Sequence, residues 1–373
     1  MRMILPLCAA LLSTTGTASA QHALGANFNE HFEDIAYPEL QRADDSWVRL
    51  FLAMPQVDAG PPAAHGAIRA ARDGVDHGYK VIFTLKWPYH HKPFPSPGSA
   101  EMAQELARLD AVLPLVMGKV DILEIGNEPY IESRPQDQNA SLNTFYELMA
   151  ARAMAYRAAH CPGACKTRFY MGSLTRLELK GSQTASTQRW MDFVKATPGI
   201  DGVDIHPHVT ALEESKPFLD YALPRMRPDQ RFIATEFSLV WWWKQHMKEA
   251  IPASFAATYH LPPTMQNWQL IKAALDAPFT QAEWDDFLKQ SPWFESRKHY
   301  LRHQMAMFRA TGRLAVATYG FKQGSSMTVN FGPDSTPWLL NSVVAGRTVR
   351  PEPDGKAAFN YAWIDDFKAL QQP

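Results

Sequence analysis

Two short apolar runs in this chain each end on a glutamate. Ile122 to Pro129 reads Ile-Leu-Glu-Ile-Gly-Asn-Glu-Pro, and Arg231 to Val240 reads Arg-Phe-Ile-Ala-Thr-Glu-Phe-Ser-Leu-Val. Proline cannot continue a central strand, so the first run must stop at Asn127-Glu128, just before Pro129. Glu236 holds the matching place near the end of the second run. A carboxylate among apolar strand residues is costly to bury without a partner or a purpose. Two of them facing each other could divide proton transfer and nucleophilic attack between them. The plainer reading is that either glutamate pairs with an arginine in the interior.

The elements that must position these residues alternate. Candidate strands are Leu24 to Asn29, Trp47 to Leu52, Val81 to Trp87, Asp121 to Asn127, Arg168 to Ser173, Asp201 to His206, Arg231 to Phe237 and Leu314 to Phe321. Helical patterns lie between them, among them Ala63 to His77, Ser99 to Met117 and Leu142 to Ala159. Eight strand–helix repeats predict a parallel α/β fold, the (β/α)8 or TIM barrel, with Glu128 and Glu236 at its catalytic face. A doubly wound open sheet competes, but no Gly-rich phosphate turn follows the first strand. Residues 21–373 read as a single domain. The stretch from Trp241 to Arg297 is too long for a simple connection after strand seven; its helical patterns, Met265 to Leu275 and Gln281 to Lys289, predict a lobe over one face.

The Asn-Glu-Pro after strand four and the Thr-Glu-Phe on strand seven resemble the motifs of clan A glycoside hydrolases, a group that includes the cellulase-like family 5 and the xylosidase-like family 39. The resemblance runs from about strand two to strand eight and rests on short motifs. It implies a retaining glycosidase acting on a β-linked glycoside or polysaccharide, without a cofactor. Glu128 would be the acid/base and Glu236 the nucleophile, with carboxyls ~5–5.5 Å apart. Asn127 matches the clan residue that bonds the sugar 2-hydroxyl, and Arg49 matches an arginine on strand two beside the nucleophile. An alternative partner for Arg49 is Glu124, which shares the strand parity of Glu128; both pairings can hold together.

His206-Pro207-His208 follows strand six, where the clan often has His-x-Tyr. His206 fits near the substrate, whereas His208 stands in the place of a tyrosine that bonds the nucleophile; an imidazole can still donate there. A His-x-His pair also raises a metal-dependent hydrolase as an alternative function. Few strands remain after strand six to complete the usual three-ligand set, so no metal is expected.

Eleven Trp and 12 Tyr supply flat rings for a sugar cleft or for a core. Trp87 after strand three, Trp241 in the Trp241-Trp242-Trp243 run, and Tyr319 on strand eight are the candidate sugar-binding rings. Anchoring the lobe is the competing use of the triple tryptophan. A non-catalytic carbohydrate-binding protein is the remaining alternative, disfavoured by the presence of both carboxylates.

The apolar fraction of 46% across 373 residues suits one large barrel, and a formal net charge of −1 gives no electrostatic case for nucleic acid. Arg2, the apolar run Ile4 to Leu12 and Ala18-Ser19-Ala20 read as a signal peptide cleaved after Ala20, which predicts a secreted or periplasmic protein. No later stretch approaches the ~20 apolar residues of a spanning helix. Cys8 leaves with the signal, and Cys161 and Cys165, flanking Pro-Gly-Ala, predict a small loop disulfide. The sugar, the linkage and the oligomeric state are not encoded in any recognisable pattern.

Overall fold

The computed structural model describes residues 23–371, so the expected signal peptide, with Cys8, lies outside the described residues. Eight strands close into one ring: β1 (Ala23–Asn27), β2 (Trp47–Ala53), β3 (Lys80–Lys86), β4 (Ile122–Ile125), β5 (Arg168–Thr175), β6 (Gly202–His206), β7 (Arg231–Ala234) and β8 (Leu314–Gly320). Every pairing is parallel, and β1 meets β8 in register from Ala23↔Val316 to Asn27↔Gly320. The chain is a (β/α)8 barrel, as its alternation predicts.

Helices follow the strands in turn: α1 (Tyr37–Arg42), α2 (Gly66–Asp76), α3 (Ala100–Val116), α4 (Ala140–His160), α5 (Ala185–Ala196) and α6 (Lys216–Ala222). Their starts carry the expected chemistry. Ser99 caps α3 by accepting from the Met102 amide at 3.1 Å, and Thr184 with Thr187 forms a reciprocal cap on α5. After β7 the predicted lobe appears as α7 (Val240–Gln245), α8 (Ala253–Thr258), α9 (Asn267–Asp276), α10 (Gln281–Gln290) and α11 (Pro292–Glu295). Helix α12 (Tyr300–Ala310) returns to the barrel ring before β8, and α13 (Tyr361–Gln371) completes it.

Strand parity sorts the barrel interior into layers. Trp47, Ile82, Ile122, Tyr170, Ile233 and Val316 pack together as an apolar floor. Two residues further along on β2, β3, β4 and β8 come Arg49, Thr84, Glu124 and Thr318, joined by Asp204 from β6 and by Thr235 just past β7, each 0% exposed. A polar layer thus lies between the apolar floor and the mouth, and its groups must satisfy one another because water does not reach them.

Four strand ends differ from the sequence reading by two residues or more: β1 and β4 stop two residues early, β5 runs two residues further and β7 stops three residues early. β4 stops at Ile125 and β7 at Ala234, so Glu128 and Glu236 lie in the turns just beyond their strands. The cause at β4 is local. Gly126 turns the chain at φ +99°, where a side chain would also meet the Tyr146 ring, and Glu128 itself is left-handed at φ +34°. Cys161 and Cys165 form a disulfide just past α4, with Cα atoms 5.5 Å apart. Among the described residues, no helix is long and apolar enough to cross a membrane.

Candidate active site

The strained turn after β4 aims the Glu128 side chain into the mouth. Its backbone N–H donates to Ser173 Oγ at 3.1 Å. Ser173 sits where the β5–β6 register shifts between Met171 and Leu174, so a bulge in β5 supplies the support. A left-handed φ at a non-glycine residue is a strained conformation that surrounding structure must hold in place.

Glu236 is gripped from the polar layer below. Arg49 Nη1 lies 2.6 Å from its Oε1. The same guanidinium donates through Nη2 to Asn127 Oδ1 at 2.7 Å, through Nη1 to Asn29 Oδ1 at 3.0 Å, and through Nε to Thr84 Oγ1 at 3.1 Å. Arg49 also stands 3.6 Å from Glu124. Both partners anticipated for Arg49 are therefore present, with Glu236 much the closer.

His206 lies beneath both glutamates. Its Nδ1 is 3.1 Å from Glu128 Oε1 and 3.9 Å from Glu236 Oε1. Its Nε2 faces Asp204 Oδ2 at 3.0 Å and Thr235 Oγ1 at 2.8 Å. With carboxylate oxygens at both nitrogens, the ring donates from both. Burial alone would lower its pKa, but the charges of Asp204 and Glu236 hold it well above the usual histidine range. The converse applies to Glu236: burial would raise its carboxyl, yet the charges of His206 and Arg49 keep it well below the ordinary range. His208 Nδ1 pairs with Ser238 Oγ at 2.8 Å, which turns Nε2 toward Glu236 Oε2 at 3.5 Å, slightly too long for a formed hydrogen bond.

Asn127 is held at both ends of its amide. Arg49 donates to its Oδ1, and its Nδ2 donates to Glu132 Oε1 at 2.7 Å. Lys86 Nζ reaches the same Glu132 oxygen at 2.9 Å. Burial pushes the Glu132 carboxyl up to about 7, against the opposing pull of Lys86 and Asn127. Glu132, Lys86, Asp204, Thr235 and Ser173 were not singled out by sequence. Glu132 follows Glu128 by one turn and was discoverable as a carboxylate beside the motif; the others become visible only when strands are laid side by side.

An open cleft of about 310 Å³ runs over these groups, bordered by Asn127, Glu128, His206, His208, Glu236 and Trp241, and by Met327 and Trp338 from the segment after β8. It continues into a recess beside Asn27, Asn29, Ser238 and Asn341. The aromatic expectations separate here. Trp241 lines the cleft, with the Arg176 guanidinium 5.5 Å above its ring. Trp87 does not: it is 0% exposed and packed edge-on against Phe145 and Tyr146. Tyr319 is likewise 0% exposed, against Phe237 and Trp363. Both rings belong to the shell between strands and helices, because ring type does not reveal which side of a strand end the chain presents. Trp338, which lies 4.9 Å from the His208 ring, is a cleft aromatic that sequence missed, as is Phe51. Trp242 and Trp243 serve the lobe, bonding Trp293 O and Asn341 Oδ1 at 2.9 Å each.

One donor atom from each of Glu128, His206, His208 and Glu236 falls within a span of 4.8 Å, compact enough in principle for a cation. The donors fit one poorly. Glu236 already carries the Arg49 guanidinium at 2.6 Å, so a divalent ion would share its main anionic ligand with a fixed cation.

No protein-family model matches the chain, and no curated protein does. Solved structures do. The chain is similar to a GH10 protein from Paenibacillus barcinonensis, at 12% identity over 95% of each chain, with a TM-score of 0.51. It is also similar to a beta-glucosidase from Exiguobacterium marinum, at 9% identity over 94% of this chain and 97% of that one, again with a TM-score of 0.51. At these identities the likeness is one of fold, and it extends over nearly the whole chain.

Proposed function

We propose that this chain is a retaining glycoside hydrolase, with Glu128 as acid/base and Glu236 as nucleophile. The observation that carries the reading is the span between the two glutamates: an oxygen of each lies within 4.8 Å of the other. That closeness agrees with the ~5–5.5 Å between carboxyls at which one of them attacks directly, the short separation of a retaining pair.

The surroundings support this division of roles. A nucleophile must be ionised, and Glu236 has Arg49 and His206 to keep it so. Glu128 has one side-chain hydrogen bond, from His206 Nδ1 to Oε1, which leaves Oε2 free to carry a proton toward the leaving oxygen. In the first step Glu236 bonds the anomeric carbon as the glycosidic C–O bond breaks and Glu128 gives its proton to the departing oxygen. In the second, Glu128 takes a proton from water, whose oxygen attacks the anomeric carbon and releases Glu236. We assign Asn127, with one amide hydrogen beyond its bond to Glu132, to the 2-hydroxyl.

The substrate class, a β-linked glycoside or polysaccharide, follows the motif resemblance and agrees with the beta-glucosidase among the similar structures. We assign residues 21–373 to one catalytic domain exported behind the signal peptide, a location with which the Cys161–Cys165 disulfide is compatible. The test is covalent trapping. An activated 2-deoxy-2-fluoro glycoside chosen from a substrate panel should label the peptide containing Glu236, and proton NMR of an early time course should show the product with the anomeric configuration of the substrate. Inversion, or a label on another residue, rejects the assignment.

A further inference from the structure

Behind His206 lies a carboxyl to which the mechanism above gives no part. Glu124 on β4 and Asp204 on β6 are both 0% exposed. An oxygen of each, with a nitrogen of His206, falls within 4.8 Å of the others. Two carboxylates this close in a dry interior cannot both ionise cheaply, as in any buried carboxyl pair.

The donors around them are shared unequally. Asp204 accepts the Thr235 amide at 2.9 Å, the Thr235 hydroxyl, and His206 Nε2 at 3.0 Å. Glu124 has the Thr84 hydroxyl from β3 on Oε2, with Arg49 from β2 at 3.6 Å. Its Oε1 has no donor at all. On the β5 side the neighbour is Gly172, which brings no side chain; a Cβ there would lie 2.1 Å from Oε1. The remaining charges near Glu124 belong to Asp204 and His206 on β6 and, beyond Arg49, to Glu236.

We propose that Glu124 is kept as a neutral acid that donates its hydrogen to Asp204 and so acts as a positioning residue for the catalytic pair. Burial and the charge of Asp204 push the Glu124 carboxyl well up. Asp204, which burial alone would also raise, is held below its usual range by His206, by the hydrogen bond from Glu124 and by Arg49. Two consequences follow for the site. Asp204 remains a full acceptor for His206 Nε2, which fixes the ring whose other nitrogen serves Glu128. Arg49 is also left to Glu236, because a neutral Glu124 does not compete for its guanidinium; the distances of 3.6 and 2.6 Å show that preference.

The catalytic half of this proposal rests on the glycosidase reading; the protonation half does not. Infrared difference spectra of the chain carrying 13C at its glutamate carboxyls, wild type minus Glu124→Gln, should show a label-shifted carbonyl band of a protonated acid that persists at pH values where Glu132 has already released its proton. Absence of a label-shifted band in the wild type at those pH values overturns the proposal, whether or not the protein cleaves glycosides and whether or not the variant folds. In kinetics, Glu124→Met should lower kcat/KM at least about tenfold, and Glu124→Gln should recover it to within about threefold of wild type. The alkaline limb of the Glu124→Gln pH profile should stay in place, since no charge is removed. A limb displaced toward lower pH would mean that an anion had been lost, and would equally overturn the proposal.

Discussion

Arg49 Nη1 sits 2.6 Å from Glu236 Oε1, at the centre of a barrel whose polar layer it joins to five other side chains. This pair sets the ionisation of the proposed nucleophile. Glu236 has a depressed carboxyl, so its interaction with the buried cations stabilises the fold above the ordinary carboxylate range and is lost as pH falls through the lowered value. Arg49→Met should therefore move the acid limb of kcat/KM to higher pH and lower the plateau on the order of 10²-fold. An acid limb unchanged in the variant would show that Arg49 does not govern Glu236.

The two glutamates should fail differently when neutralised. Glu236→Gln should lose on the order of 10⁴-fold or more in kcat on every glycoside cleaved. Glu128→Gln should lose about 10²–10⁴-fold on substrates with alcohol leaving groups. On aryl glycosides whose phenolate leaves unaided, it should keep a fast first turnover followed by slow release. Stopped-flow traces with a nitrophenyl glycoside distinguish that burst from uniform loss.

Glu132 gives a pH dependence of opposite sign. Its carboxyl is raised to about 7, chiefly by burial. Between the ordinary carboxylate range and that value the folded chain keeps a proton the unfolded chain has released, so stability falls as pH rises through this window. Glu132→Gln cannot release that proton. Its melting temperature relative to wild type should climb steadily from pH 5 to pH 7, a trend readable by scanning calorimetry. A flat difference would refute it.

Trp338 and Tyr319 offer a contrast between cleft and core. Trp338→Ala should raise KM about tenfold, consistent with about 1.4 kcal/mol of ring contact on a sugar face. The Tyr319 hydroxyl is buried without a partner, so Tyr319→Phe should leave KM unchanged and leave the melting temperature equal or higher. A KM effect at Tyr319 would place that ring nearer the substrate than its packing against Phe237 and Trp363 allows.

The strand and helix pattern was legible because the period of apolar residues changes sharply between elements. β2, β3 and β6 agree with their predicted spans to within a residue at each end. The partners of Arg49 were legible in part, since Glu124 and the second glutamate could be placed by parity along a strand. Parity says nothing about what faces a group across the ring. Asp204 and Thr235 lie on β6 and just past β7, and their pairing with His206 depends on neighbouring strands, not on spacing within one. The aromatic residues show a different limit. Ring type and nearness to a strand end suggest a cleft role for Trp87 and Tyr319, whereas Lys86 and Thr318 beside them face the interior, so strand alternation turns both rings toward the helices. Trp338 comes from an irregular segment with no period from which to place it.

The polar layer inside the barrel has a consequence for the order of folding. Arg49 draws its partners from β1 and the turns after β1, β4 and β7 as well as from β3 and β4, positions spread across most of the chain. A half-built, open sheet would expose the guanidinium or bury it with only some of those partners, and removing partners from a buried charge is strongly destabilising. The apolar floor can begin to collapse on any few strands, whereas the layer above it is satisfied only when Glu236, from beyond β7, reaches Arg49 on β2. Ring closure and site assembly are thus one cooperative event, and a fragment of this barrel would contain the two glutamates without the geometry that brings them together.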